Sequence, residues 1–229
     1  MVALPASLAR RTDCVTRATV FATTGAFVAL IALAMRAYPG GTAWNPTTPG
    51  HDFWLNYLCD LERSTALDGR SNAAGASFAR TAMVLVGMGS FPFWHLLTDH
   101  FPMRPSLARA VWALGAVSSA GLIAVGLLPA DAFPGLHPLL MLGAGGPGIM
   151  ATALGTVGLV TPGRRFDLAT LGAAAVVVST ADLALYASEL NDPSPGPMAA
   201  AVLERIALGL ALAWRTLVAW SATPGLKKQ

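Results

Sequence analysis

The chain has 229 residues, 54% of them hydrophobic and only 12% charged, with a formal net charge of +3. Soluble domains carry about 25% charged residues, so this chain has too little polar surface to cover a particle in water, which excludes a soluble enzyme. The positive balance does not signal nucleic acid either, because the basic residues do not gather in one patch.

A membrane-spanning helix needs about 20 predominantly apolar residues. Six stretches meet that length: 16–36, 76–97, 107–128, 136–160, 168–189 and 198–220. The first follows Arg10, Arg11 and Arg17 as a signal peptide would, but its apolar run exceeds the usual h-region of about 7–15 residues and five more spans follow. It reads as a retained helix. The sequence therefore predicts an all-α, integral membrane bundle of about six transmembrane helices, a single polytopic domain over 1–229.

The connections divide into two sets. Arg10, Arg11 and Arg17, Arg104, Arg164 and Arg165, and Lys227 and Lys228 fall on one side. The long first loop, the turn with Asp131 and the turn with Asp192 fall on the other, where Arg36, Arg63, Arg70 and Arg80 are exceptions to the bias. By the positive-inside rule both termini are cytoplasmic, in a plasma membrane or bacterial inner membrane. Cys14 and Cys59 then lie on opposite sides of the bilayer, which predicts two free thiols, and no CxxC spacing marks a metal.

Residues 38–74 are the one long connection. Pro39, Gly40, Gly41, Pro46, Pro49 and Gly50 make its first half irregular. The stretch 52–61, with Phe53, Trp54, Tyr57 and Leu58, predicts a short amphipathic helix lying on the membrane surface. Loops this long in compact proteins are functional or disordered. The aromatic content argues against disorder, so the loop is expected to fold over the outer face. Farther on, His95 beside Phe91, Phe93 and Trp94 reads as part of an interfacial aromatic belt. In the fourth span Pro147 is expected to kink the helix, while the pairs Ala144 with Gly148 and Ala151 with Gly155 allow close helix approach.

Charged groups within a membrane are costly and turn toward the bundle interior. In the fifth span Ser179, Asp182, Tyr186 and Glu189 follow steps of three, four and three, which puts them on one helical face. The sixth span reaches Glu204 and Arg205 about two turns from its outer end, at the depth of Asp182. Arg80 lies about one turn into the second span and His137 opens the fourth. The loop adds His51, Asp52, Asn56, Asp60 and Glu62. Polar groups thus converge on one outer region, whereas the cytoplasmic halves hold only His95 and Arg215, both near the interface.

Two explanations compete for the intramembrane charges. Asp182 or Glu204 paired with Arg205 or Arg80 would be a structural ion pair that fixes helix register. Alternatively Arg80, His137, Asp182, Tyr186, Glu204 and Arg205 line an outer-leaflet pocket for a lipid headgroup or small ligand. A metal site from His51, Asp52 and His137 has no ligand-motif spacing behind it, and no cofactor is expected. There is no HExxH and no GxSxG. No span contains lysine, which excludes a retinal Schiff base. A haem with two axial histidines would need them at one depth, whereas His95 and His137 lie at opposite faces. No internal repeat supports a transporter.

Three stretches resemble the bacterial six-span proteins grouped as domain-of-unknown-function family 998. Residues 51–61 resemble that family's aromatic, polar loop before its second helix. Residues 125–140 resemble its junction after the third span, with Gly126, Pro129 and His137 matching, and residues 203–214 resemble its last helix, with Glu204, Arg205 and Trp214 matching. The chain departs from the family's Ser-Glu-Leu-Gly pattern at Cys59, Asp60, Leu61 and Glu62. The resemblance implies a six-span bundle. The family has no established activity, but it is reminiscent of eukaryotic membrane proteins linked to lipid remodelling, which implies lipids as partners.

The leading functional expectation is a lipid- or small-ligand-binding accessory membrane protein. The alternative is an intramembrane lipid-modifying enzyme with Asp182 or Glu204 as general base and His137 as acid partner. A further alternative is a regulator or subunit of a larger membrane complex, with a protein partner in the membrane.

Overall fold

The structure is a computed structural model that describes residues 6–160, 165–190 and 198–222, with side chains from residue 13 onward. The side chains of Arg10 and Arg11, and the whole of Arg164, Asp192, Lys227 and Lys228, lie outside the described residues. Seven helices are present among the described residues: α1 (Ala6–Ala37), α2 (Leu58–Glu62), α3 (Ala73–Thr98), α4 (Pro105–Leu127), α5 (His137–Leu159), α6 (Phe166–Glu189) and α7 (Met198–Ser221). Each long helix coincides with a span read from the sequence to within a few residues, apart from the earlier start of α1. Proline marks two of the starts, at Pro105 in α4 and Pro138 in α5, where a missing N–H costs nothing.

Five helices (α1 from Asp13, α3, α4, α5 and α6) are long and apolar enough to cross a membrane. The helix α7 matches them in length but carries Glu204, Arg205 and Arg215. The long helices pack in chain order, each on the next, and α7 returns to α1 and α3 to close a ring. Outward faces are apolar: Val28, Met88, Trp112, Met150, Val177 and Trp220 are all exposed. In water such a surface would be a liability; against hydrocarbon it is the expected face.

The buried side chains form two clusters. One, away from the loop, gathers Val20, Phe93, Trp94, Leu97, Val111, Leu159, Leu168 and Trp214. The other, at the loop end, gathers Phe27, Ile31, Tyr38, Leu61, Ala79, Met83, Val86 and Val125. Phe93 and Trp94 therefore belong to the interior, which corrects the reading of this stretch as an interfacial belt; only His95 of that group is turned outward and exposed. The indole of Trp214 is fixed by donating to the Leu168 carbonyl at 2.9 Å.

Residues 38–74 fold back over the end of the ring. Isolated bridges pair Gly40 with Pro49 and Thr65 with Ser71. The Asn72 amide donates to the carbonyls of Leu61 and Arg63 at 3.0 and 2.9 Å, and the Leu67 amide donates to the Tyr38 hydroxyl at 3.1 Å. Gly41 sits at φ +88°, in the left-handed region that glycine enters without strain.

The helix expected over 52–61 is shorter and differently placed. Asp52 Oδ1 accepts from the amides of Trp54 and Leu55 at 2.9 and 3.0 Å, and the Asp52 amide donates to Asn56 Oδ1 at 2.9 Å. These side chains take the amides that a helix would need, so a turn forms first and α2 begins only at Leu58. Nor does α2 lie flat on a surface. Asp60, Leu61 and Glu62 are buried, and α2 packs on α3.

Candidate functional site

The helix α7 carries Glu204, Leu208, Ala211, Leu212 and Arg215 at helical spacing on one face, and that face is turned into the ring. On α6, Ser179, Asp182 and Leu183 face the same way, and Met83, Val86 and Ser90 do so on α3. Between the two buried clusters these faces border a partly open cavity of about 320 Å³ to which all seven helices contribute. That volume falls at the lower end of small-molecule pockets, about 300–1,000 Å³. Its wall is mostly aliphatic, and its charged groups are few: Asp182 and Glu204 toward the loop, and Arg215 deeper in.

The loop forms the roof over the acidic end, and two adjacent residues of α7 hold it there. Glu204 Oε2 accepts from the Leu58 amide at 3.0 Å and from Arg205 Nη1 at 2.6 Å. Arg205 Nε donates to the Phe53 carbonyl at 3.0 Å and Nη2 to the Asn56 carbonyl at 2.5 Å, while its guanidinium lies 5.5 Å from the Phe53 ring centroid. On α6 the Tyr57 hydroxyl reaches Glu189, 2.9 Å from either carboxylate oxygen. Asp182 has no hydrogen bond or ion pair among the described residues and borders the cavity directly.

The six residues singled out in the sequence do not form one cluster. Asp182 and Glu204 share the cavity. Arg205 stands behind Glu204 as a clamp on the loop, and Tyr186 is half-buried on the α6 face between Asp182 and Glu189. Arg80 and His137 lie apart. Arg80 donates to the Glu62 carbonyl at 2.8 Å and to Ser64 Oγ at 2.9 Å, and its guanidinium is 3.8 Å from Asp131. Asp131 in turn accepts from the Ser64 amide at 2.6 Å, which ties the loop to the α4–α5 turn. The buried His137 engages the Leu128 carbonyl through Nδ1 at 2.8 Å and does not border the cavity.

No match to this chain was found among family models, curated proteins or solved structures. The resemblance to domain-of-unknown-function family 998 thus rests on its three short stretches.

The loop's own ionisable groups are strongly affected by burial. Burial pushes the Glu62 carboxyl up to about 8, with the Arg80 charge opposing and the Glu204 charge adding, and Glu62 Oε2 has no hydrogen-bond partner among the described residues. Burial also raises Asp60, against hydrogen bonds from Asn56 and Tyr57. His51 is lowered to about 4, by burial first and by Arg205 second, so it stays neutral at physiological pH. Burial raises the Cys59 thiol, and Cys14 and Cys59 are both free. No group of three metal-ligating side chains occurs among the described residues.

One residue that borders the cavity was not among the sequence candidates. Arg215 is buried in the bundle and borders the cavity. Its partners are the hydroxyls of Thr24 (3.1 Å), Ser90 (2.5 Å) and Thr23 (3.2 Å). The available signal was the spacing of Arg215 from Glu204, which returns it to the same helical face after three turns.

Proposed function

We propose that this chain is a six-span membrane protein that binds an amphiphilic, lipid-like molecule in the cavity between its helices. The observation that carries the reading is the cavity itself: aliphatic along its length, polar at its ends, and contributed to by every helix. Burial of charge supports α7 as the sixth span. Arg205 and Arg215 are each 6% exposed and Glu204 turns inward, while Ile206, Leu217 and Trp220 on α7 face outward. With both termini cytoplasmic, the loop covers the outer end, so Asp182 and Glu204 occupy the outer leaflet's depth in a plasma or bacterial inner membrane.

The test is the lipid content of the purified protein. Ala211 borders the cavity but is exposed, so Ala211→Phe fills space without disturbing the buried packing. Mass spectrometry of the wild type should show a bound amphiphile that Ala211→Phe largely lacks. Equal lipid content in both overturns the reading.

The enzymatic alternative is favoured by two carboxyl groups, Asp182 and Glu204, on one cavity. It lacks its acid partner, because His137 is committed to Leu128 outside that cavity. Asp182→Asn and Glu204→Gln that both leave cellular lipid composition unchanged would remove it.

A further inference from the structure

We propose that the cavity's deep end, remote from the loop, receives the anionic group of its amphiphile, a carboxylate or phosphate, and that Arg215 holds it. The inference rests on the amphiphile reading and adds the ligand's charge and direction.

Arg215 lies eleven residues beyond Glu204 on α7, which places it about 16 Å farther along the helix. Three of its five N–H groups are used, by Thr24, Ser90 and Thr23. Each of those hydroxyls spends its own proton within its helix: Thr23 on the Thr19 carbonyl at 2.8 Å, Thr24 on Val20 at 2.7 Å, and Ser90 on Val86 at 2.7 Å. The hydroxyl oxygens therefore meet the guanidinium as acceptors. They orient it but bring no negative charge. The Phe93 ring, 5.5 Å from the guanidinium, brings none either.

Arginines elsewhere in the described residues pair with carboxylates: Arg70 with Asp68, Arg80 with Asp131, Arg165 with Asp167 and Arg205 with Glu204. None compensates Arg215. A buried cation without a counter-charge is costly in a bilayer, and a hydroxyl-binding staple between helices needs no charge. Two N–H groups remain, one on each Nη, and a guanidinium with unused donors is the group with which arginine takes a carboxylate or phosphate.

The rest of the cavity fixes the remaining chemistry. Met83, Val86, Leu122, Met141, Leu208 and Leu212 line it with hydrocarbon, which suits an alkyl chain and not a free inorganic ion. At the other end Glu204 is neutralised by Arg205, whereas Asp182 has no ion-pair partner among the described residues and repels an anion, so it sets the direction. The headgroup sits at Arg215 and the chain runs toward the loop.

The experiment uses the full chain in an uncharged detergent, with the thermal unfolding midpoint followed against added dodecyl phosphate, dodecanol, dodecyltrimethylammonium or inorganic phosphate. The expected result is saturable stabilisation by dodecyl phosphate alone. Arg215→Gln should weaken it by about thirtyfold or more, and Ala211→Phe should abolish it with Arg215 intact. Ala211→Phe keeps the proposal testable even where Arg215→Gln fails to fold. Equal stabilisation by dodecanol or dodecyltrimethylammonium overturns the anion assignment and leaves the amphiphile reading standing. An equal effect of inorganic phosphate overturns the amphiphilic ligand. An unchanged response in Arg215→Gln overturns the role of Arg215, and no response to any amphiphile removes both this inference and the reading beneath it.

Discussion

Replacing Arg205 by methionine should detach the loop from α7 and destabilise the whole protein. The arginine side chain is 3% exposed and makes charge-assisted bonds to two loop carbonyls and to Glu204. Removing one partner of a buried pair costs about 3–5 kcal/mol, because the other charge stays behind in a poor solvent. The two carbonyls of Phe53 and Asn56 lose their donor as well, so the upper part of that range is expected. Glu204→Gln should cost somewhat less, since a glutamine oxygen still accepts from the Leu58 amide. The informative species is the double variant Glu204→Gln with Arg205→Met. It should be more stable than the sum of the two losses predicts, by about 1–3 kcal/mol, because each single change pays for the same stranded charge. The assay is reversible unfolding in mixed micelles, with hydrogen exchange at the Leu58 amide as a local readout. Strictly additive losses, within about 0.5 kcal/mol, would refute the pair as a unit, and an Arg205→Met protein as stable as the wild type would refute the clamp altogether.

Two further outcomes follow from the loop. Glu62 has a folded-state carboxyl raised from 4.5 to about 8, so its contribution is complete below pH 4.5 and is lost as pH rises through 8. Relative to Glu62→Gln, the wild type should therefore lose stability between about pH 5 and 8; comparing the two cancels His51, whose lowered value of about 4 acts in the opposite sense on the acid side. Identical pH slopes would show that Glu62 is not buried as described. Gly41→Ala should cost about 1–3 kcal/mol, since its Cβ would meet the Asp68 amide at 2.5 Å and the Leu67 carbonyl carbon at 2.6 Å. Gly50→Ala, at φ +66° with open space around it, should cost clearly less, as judged by loop proteolysis and unfolding midpoints.

The positions of the long helices were legible because a span is set mainly by the length of an apolar run, and that length needs no knowledge of neighbours. The face of α6 was legible for a similar reason: a step of three puts Ser179 and Asp182 together, and both border the cavity. What periodicity does not encode is the neighbour that a face meets. Arg80 and His137 share the loop end with Asp182 and Glu204, yet the ring sends them to the α4–α5 turn and to Leu128. For Arg215, counting residues from the chain's hydrophilic end gave no sign that Thr23, Thr24 and Ser90 would receive its guanidinium inside the bundle. The loop was the least legible part. Its course depends on side chains such as Asp52 and Asn56 taking backbone amides, a local competition that apolar patterning does not register.

The clamp on α7 has a consequence for biosynthesis. Glu204 stands 146 positions after the Leu58 amide it accepts, and Arg205 stands 149 and 152 positions after the carbonyls of Asn56 and Phe53. As the chain emerges from the ribosome, the segment that roofs the cavity is synthesised long before its anchor exists. Contacts of such separation close late. The final helix therefore acts as a checkpoint. A chain cut short before α7 retains every helix that composition alone marks as a span, yet it leaves the roof unfastened and the ring open. Completion of the last helix is what fastens the loop and closes the ring of helices.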